Sequence, residues 1–181
     1  MSVQIGQKQE SDFSDPLGLL SDCHRRIEHF LAVLVRVSET AKGRVLEPVE
    51  KTALENALAY FRNSAPKHTA DEEDSLFPRL RAAAEAIASL GCVAGLEQDH
   101  QLVTRDHHIV DSLGRVWMER GELTTAEHRE MTQALKRLSD TYSRHIAVED
   151  QELFPLAARI LQSDDISEMG LEMARRRGVK R

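Results

Sequence analysis

Apolar residues recur at spacings of three and four along most of the chain, the pattern of helices that bury one stripe each. Leu20, Ile27, Leu31 and Leu34 mark a first helix, opened by the N-cap acid Asp15 with Pro16 at the first helical position, running to about Ser38 and broken by Lys42-Gly43-Arg44. A second stripe, Leu54, Leu58, Phe61, Ala65 and Leu76, starts near Pro48 and ends near Leu80 or somewhat later. Pro66 removes one of its backbone hydrogen bonds and predicts a kink just before position 68. Gly91 and Gly95 bracket the turn into a third helix with Leu96, Val103, Val110 and Trp117 on one face, closed by Gly121. Thr124 and Glu127 form a capping box for a fourth, whose inner face carries Met131, Leu135, Leu138, Tyr142, Leu153, Leu156 and Ile160. Ser163-Asp164-Asp165 caps a short fifth helix through Met173. The basic residues Arg175 to Arg177, Lys180 and Arg181 then make a favourable set of charges at a helix C-terminus.

Four long helices joined by short breaks predict an all-α protein, an up-down-up-down four-helix bundle with a short C-terminal helix. The expected divisions are an N-terminal arm at 1–14, the bundle at 15–162, and the C-terminal helix with its basic tail at 163–181. Composition agrees: 181 residues suffice for one domain with a sizeable core, aromatics are only 4%, and nine Gly and five Pro leave room for long helices. The net charge of −6 and a pI of about 5.8 argue against nucleic acid or anionic lipid as partners. Residues 1–14 lack an apolar signal core and no stretch approaches the roughly 18 apolar residues of a membrane span, so the expected compartment is the cytoplasm. Cys23 and Cys92 form no CxxC pair. Both fall toward one end of the bundle and are expected to be reduced spectator thiols, with a reversible disulfide as the alternative.

Polar residues interrupt the apolar stripes at matched places. The stretch from His68 through Glu72 to Leu76-Phe77-Pro78 recurs as His145 through Glu149 to Leu153-Phe154-Pro155. His24 precedes His68 by 44 residues and His100 precedes His145 by 45, each with a Leu four residues earlier, Leu20 and Leu96. In an antiparallel bundle all four histidines share one end. Four residues along a helix advance about 400°, so each Glu projects from the same face as its His, one turn on. Imidazoles and carboxylates converging in a core are costly to bury unless paired, and metal cations remove that cost. A nitrogen and oxygen set without Cys suits iron, manganese or zinc, while a buried salt-bridge network is the bland alternative.

The repeated constellation resembles the hemerythrin-like, or HHE cation-binding, family over roughly residues 15 to 160. The resemblance implies a four-helix bundle holding a non-haem di-iron centre with His24, His68, Glu72, His100, His145 and Glu149 as ligands. Glu72 and Glu149 then look like bridges, His24 with His68 serving one iron and His100 with His145 the other. Oxygen-carrying hemerythrins have a fifth His one turn after the third-helix His, where this chain has Thr104. That departure turns the expectation from reversible oxygen carriage toward binding or sensing of oxygen, nitric oxide or peroxide through a redox or signalling partner protein. The alternatives are a redox enzyme, removing peroxide or repairing oxidised or nitrosylated iron centres, and an iron buffer.

Several neighbours stay open on sequence alone. Glu73 and Asp150 lie five residues after the histidines in both halves and compete with Glu72 and Glu149, which the helical face favours. His107 shares the His100 stripe about 10 Å further along the axis and is expected at the level of Tyr142. Glu28 is a candidate for supporting His24 or for a solvated edge. His29, His108 and His128 fall off the stripe and are expected at the surface. Leu76-Phe77-Pro78 and Leu153-Phe154-Pro155 are expected to plug the end of the bundle beyond the site.

Overall fold

The computed structural model describes residues 11–84 and 91–179, the side chains of Ala84 and Cys92 excepted. Most of the expected N-terminal arm, Lys180, Arg181 and the Cys92 thiol therefore lie outside the described residues. Among those described there are helices and no strand. Helix α1 spans Pro16–Thr40. Rod α2 is Pro48–Asn63 continued by Ala65–Asp71, a π-helical turn Glu72–Leu76, and Phe77–Ala84. Helix α3 spans Gly91–Arg120. Rod α4 is Thr125–Val148, a second π-helical turn Glu149–Leu153, and Phe154–Ile160. Helix α5 spans Ser163–Arg176.

The starts and breaks follow from local chemistry. Asp15 accepts a hydrogen bond from the Gly18 backbone N–H at 3.1 Å, and the Thr124 and Glu127 pair caps α4 in both directions. Rod α2 breaks at Ser64, and Pro66 occupies the first turn of the new segment, where its missing N–H costs nothing. Gly91 begins α3 and Gly95 lies inside it, so these glycines do not bracket a turn, contrary to expectation.

The two π-helical turns follow from Pro78 and Pro155. A proline cannot donate to the carbonyl four residues back and its ring collides with it. One extra residue in the preceding turn removes the conflict: the N–H groups of Phe77 and Phe154 donate instead to the carbonyls of Glu72 and Glu149, five residues back. The repeated Leu-Phe-Pro thus shapes the helix at the two Glu positions as well as filling the end of the bundle.

In the bundle α1 packs against α2 and α4, and α3 against α2 and α4. The apolar interior forms two separate clusters. One fills the body with Leu34, Leu54, Leu58, Trp117, Met131 and Leu138. The other fills one end with Leu20, Leu76, Phe77, Leu96, Leu153 and Phe154, closed by Met169 and Met173 of α5. A polar layer separates the two. Helix α5 reaches Arg176, beyond the expected Met173, and approaches so closely at Gly170 that a Cβ there would overlap the Phe13 carbonyl oxygen.

Candidate metal centre

All six sequence-predicted ligands meet in that polar layer, and all six are buried. His24 comes from α1, His68 and Glu72 from α2, His100 from α3, and His145 and Glu149 from α4. Their ligand atoms form two sets, His24, His68, Glu72 and Glu149, and Glu72, His100, His145 and Glu149, each with its atoms within 4.8 Å of one another. Both carboxylates belong to both sets. Glu72 turns Oε1 toward His68 Nε2 (3.1 Å) and His24 Nε2 (3.8 Å), and Oε2 toward His100 Nε2 (3.3 Å). Glu149 turns Oε2 toward His24 Nε2 (3.0 Å) and His145 Nε2 (3.2 Å).

The acids at plus five have a separate task. Asp150 accepts a hydrogen bond from His24 Nδ1 at 3.0 Å and is itself held by the Ser21 hydroxyl at 2.7 Å. Glu73 accepts from His100 Nδ1 at 2.7 Å. Each fixes a ring so that Nε2 faces the centre, as outer carboxylates do for metal-bound histidines. The π-helical turn, wider than an α turn, lets residues four and five after each His serve one site. Asp99 Oδ2 approaches His145 Nδ1 at 3.6 Å, and His68 Nδ1 has no hydrogen-bond partner among the described residues. The repetition of an acid at plus five in both halves was the signal for this role; nothing in the sequence signalled Asp99 or Ser21.

The electrostatics are those of a site built for cations. Burial opposes charging His24, but the Asp150, Glu149 and Glu72 carboxylates outweigh it and raise its pKa to about 11. Burial is overcome at His100 as well, by Glu72 and then Glu73, to about 9. At His68 burial dominates and the pKa falls. Burial also pushes Glu72 toward the neutral acid, yet His68, His100 and His24 together hold it well below the usual carboxylate range. Both oxygens of Glu72, both of Glu149 and Nε2 of His24 are buried without a hydrogen bond among the described residues. Buried charges left this way are expensive, and cations between them would satisfy every one, so the residues fit a metal centre.

Aromatic rings close the layer. Phe154 stacks on His24 at 5.4 Å and Phe77 lies parallel to His100 at 6.2 Å, which is the expected plug. On the opposite side His107 pairs through Nε2 with the Tyr142 hydroxyl at 2.9 Å, at the expected common level. Burial lowers the His107 pKa to about 4 and raises that of Tyr142 above its ordinary value. Glu28, His29 and His108 are exposed. His128 is not: it is buried, donates Nε2–H to the Ser38 carbonyl at 2.7 Å, and meets the Trp117 ring edge-on at 6.0 Å. Its position near the start of α4 faces α1, a second contact that a single apolar stripe does not reveal. Thr104 is exposed and its hydroxyl donates to the His100 carbonyl at 2.7 Å.

The profile of the hemerythrin HHE cation-binding domain matches residues 15–157 of the chain. The chain belongs to that family. The hemerythrin domain is also similar along nearly its whole length to an uncharacterised protein of Haemophilus influenzae, 27% identical over 180 residues, covering 98% of this chain and 99% of the relative. No helix among the described residues is long and apolar enough to cross a membrane. Cys23 is a free, buried thiol whose pKa burial raises.

Proposed function

We propose that this hemerythrin domain holds a non-haem di-iron centre and uses it to bind or sense oxygen, nitric oxide or peroxide in the cytoplasm. One observation carries the reading: two sets of buried donors share the same two carboxylates, neither of which has a hydrogen-bond partner at either oxygen among the described residues. In this reading His24 and His68 would hold one iron and His100 and His145 the other, with Glu72 and Glu149 contributing to both. Iron is the first choice; manganese and zinc accept much the same donors. The irons supply redox chemistry and open positions for an outside ligand.

The protein residues hold the centre and couple it to the surface. Asp71, fully buried between His68 and Glu72 in sequence, accepts from Arg176 at 2.8 Å and from Arg177 at 2.6 Å. Asp71 thus joins the turn that carries Glu72 to Arg176 and Arg177 at the end of α5, which supports sensing with that helix as the reporter to a redox or signalling partner. Arg176 and Arg177 of the basic tail are engaged here, in addition to lying at a helix end.

The test is metal analysis with an optical spectrum of protein purified without added metal, reduced and then exposed to air, beside a His68→Ala, His145→Ala double variant. About two irons per chain and an absorption band that appears on oxidation, both lost in the variant, are expected. Stoichiometric zinc with no band, or no metal in a folded protein, overturns the di-iron reading.

A further inference from the structure

A cavity of about 370 Å³ opens between α2 and α3 and runs inward to Leu34 of α1 and Tyr142 of α4. None of the six candidate ligands lines it, although it borders their level: Ala65 precedes His68, Val103 and Thr104 follow His100, and Tyr142 precedes His145, all by about one turn. Its size is within the range of small-molecule sites and more than twice the roughly 150 Å³ at which an apolar cavity accepts benzene.

The wall specifies the chemistry of an occupant. Leu34, Leu58, Phe61, Val103 and Val110 make it apolar, and Phe61 stacks on His107 with ring centres 4.3 Å apart. The charges at the mouth are engaged with one another: Arg62 Nε lies 3.0 Å from Asp111 Oδ1, and Arg115 also pairs with Asp111. The Thr104 hydroxyl donates to the His100 carbonyl. Deeper in, His107 Nε2 is paired with Tyr142, and Nδ1 has no partner among the described residues. A neutral ring offers Nδ1 as a donor in one tautomer and as an acceptor in the other. A ligand hydroxyl, itself donor and acceptor, matches either.

We infer that this cavity binds a small uncharged organic molecule with a ring-sized apolar body and one hydroxyl group, the body lying among the apolar side chains and the hydroxyl on His107 Nδ1. The site is independent of metal occupancy, because no candidate ligand lines it.

The test is calorimetric titration of the full chain, as purified and after treatment with a chelator, using three probes: 2-phenyl-2-propanol, the hydroxyl-free isopropylbenzene, and benzoate. The alcohol should bind saturably with and without metal, more tightly than either other probe. His107→Phe should weaken the alcohol about five- to tenfold, the worth of one hydrogen bond, and leave isopropylbenzene unchanged. Thr104→Trp, a change at an exposed wall residue that is expected to fold, should block all three. Tighter binding of benzoate overturns the uncharged class. No saturable binding of the alcohol at its solubility limit, or equal loss of alcohol and isopropylbenzene in a folded His107→Phe variant, overturns the site.

Discussion

Replacing His107 by Phe tests whether this ring is held neutral inside the bundle. Burial lowers its pKa to about 4 from the usual 6.5. A base whose folded pKa lies below its unfolded value is protonated first in the unfolded chain. Its contribution is therefore fully present above about pH 6.5 and is lost as pH falls toward 4. A tenfold change in proton affinity is worth about 1.36 kcal/mol, so the whole effect is on the order of 3 kcal/mol, most of which disappears between roughly pH 7.5 and pH 4.5. The Phe ring preserves the stacking on Phe61 but leaves the buried Tyr142 hydroxyl without its partner, at a cost of about 1–3 kcal/mol at every pH. Urea unfolding of the metal-free wild type and variant across that range measures the difference directly, since the other titrating groups are common to both. The variant should be the less stable at neutral pH and should gain on the wild type as the solution is acidified. A difference that does not change with pH refutes the neutral, desolvated ring and means that water in the cavity returns His107 to an ordinary pKa.

Three further outcomes follow from the packing and the site. Gly170→Ala should destabilise the fold by about 1–3 kcal/mol in urea, because its methyl meets the Phe13 backbone, whereas Gly95→Ala on an open helix face should be neutral or stabilising. Asp71→Asn should loosen α5, read as faster protease cleavage within 163–179 at an unchanged helix content and a loss of about 2 kcal/mol, less than for a fully buried pair because Arg176 and Arg177 remain partly exposed. Zinc added to metal-free protein at neutral pH should release about two protons, since His24 and His100 are charged there without metal. Calorimetry in two buffers of different ionisation enthalpy measures that release, and none at all would contradict the raised pKa values.

The helical architecture and the six converging side chains were legible in the sequence because both rest on local rules. Apolar spacing marks the buried face, Asp15, Thr124 and Glu127 mark helix starts, and the interval between His68 and Glu72, repeated at His145 and Glu149, puts each pair on one side of its rod. The internal repeat then brings the two halves to one level, given antiparallel packing. Pro78 and Pro155 carried the π-helical turns in the same local way, and those turns stay hidden only as long as the prolines are taken for part of a plug.

What the tertiary structure alone decided depends on the rotation of each helix about its axis and on which neighbour it meets. Glu73 and Asp150 are candidate ligands by spacing, and only the facing rings of His100 and His24 make them their supports. His128 lies off the apolar stripe of α4 and is nevertheless buried, because α1 presents the Ser38 carbonyl to it. Arg176 and Arg177 look like solvated charges until α5 folds over the turn that carries Asp71. The cavity beside His107 belongs to no single helix. It exists because the side chains of α2 and α3 leave a gap between them, and the periodicity of one helix carries no information about the space between two.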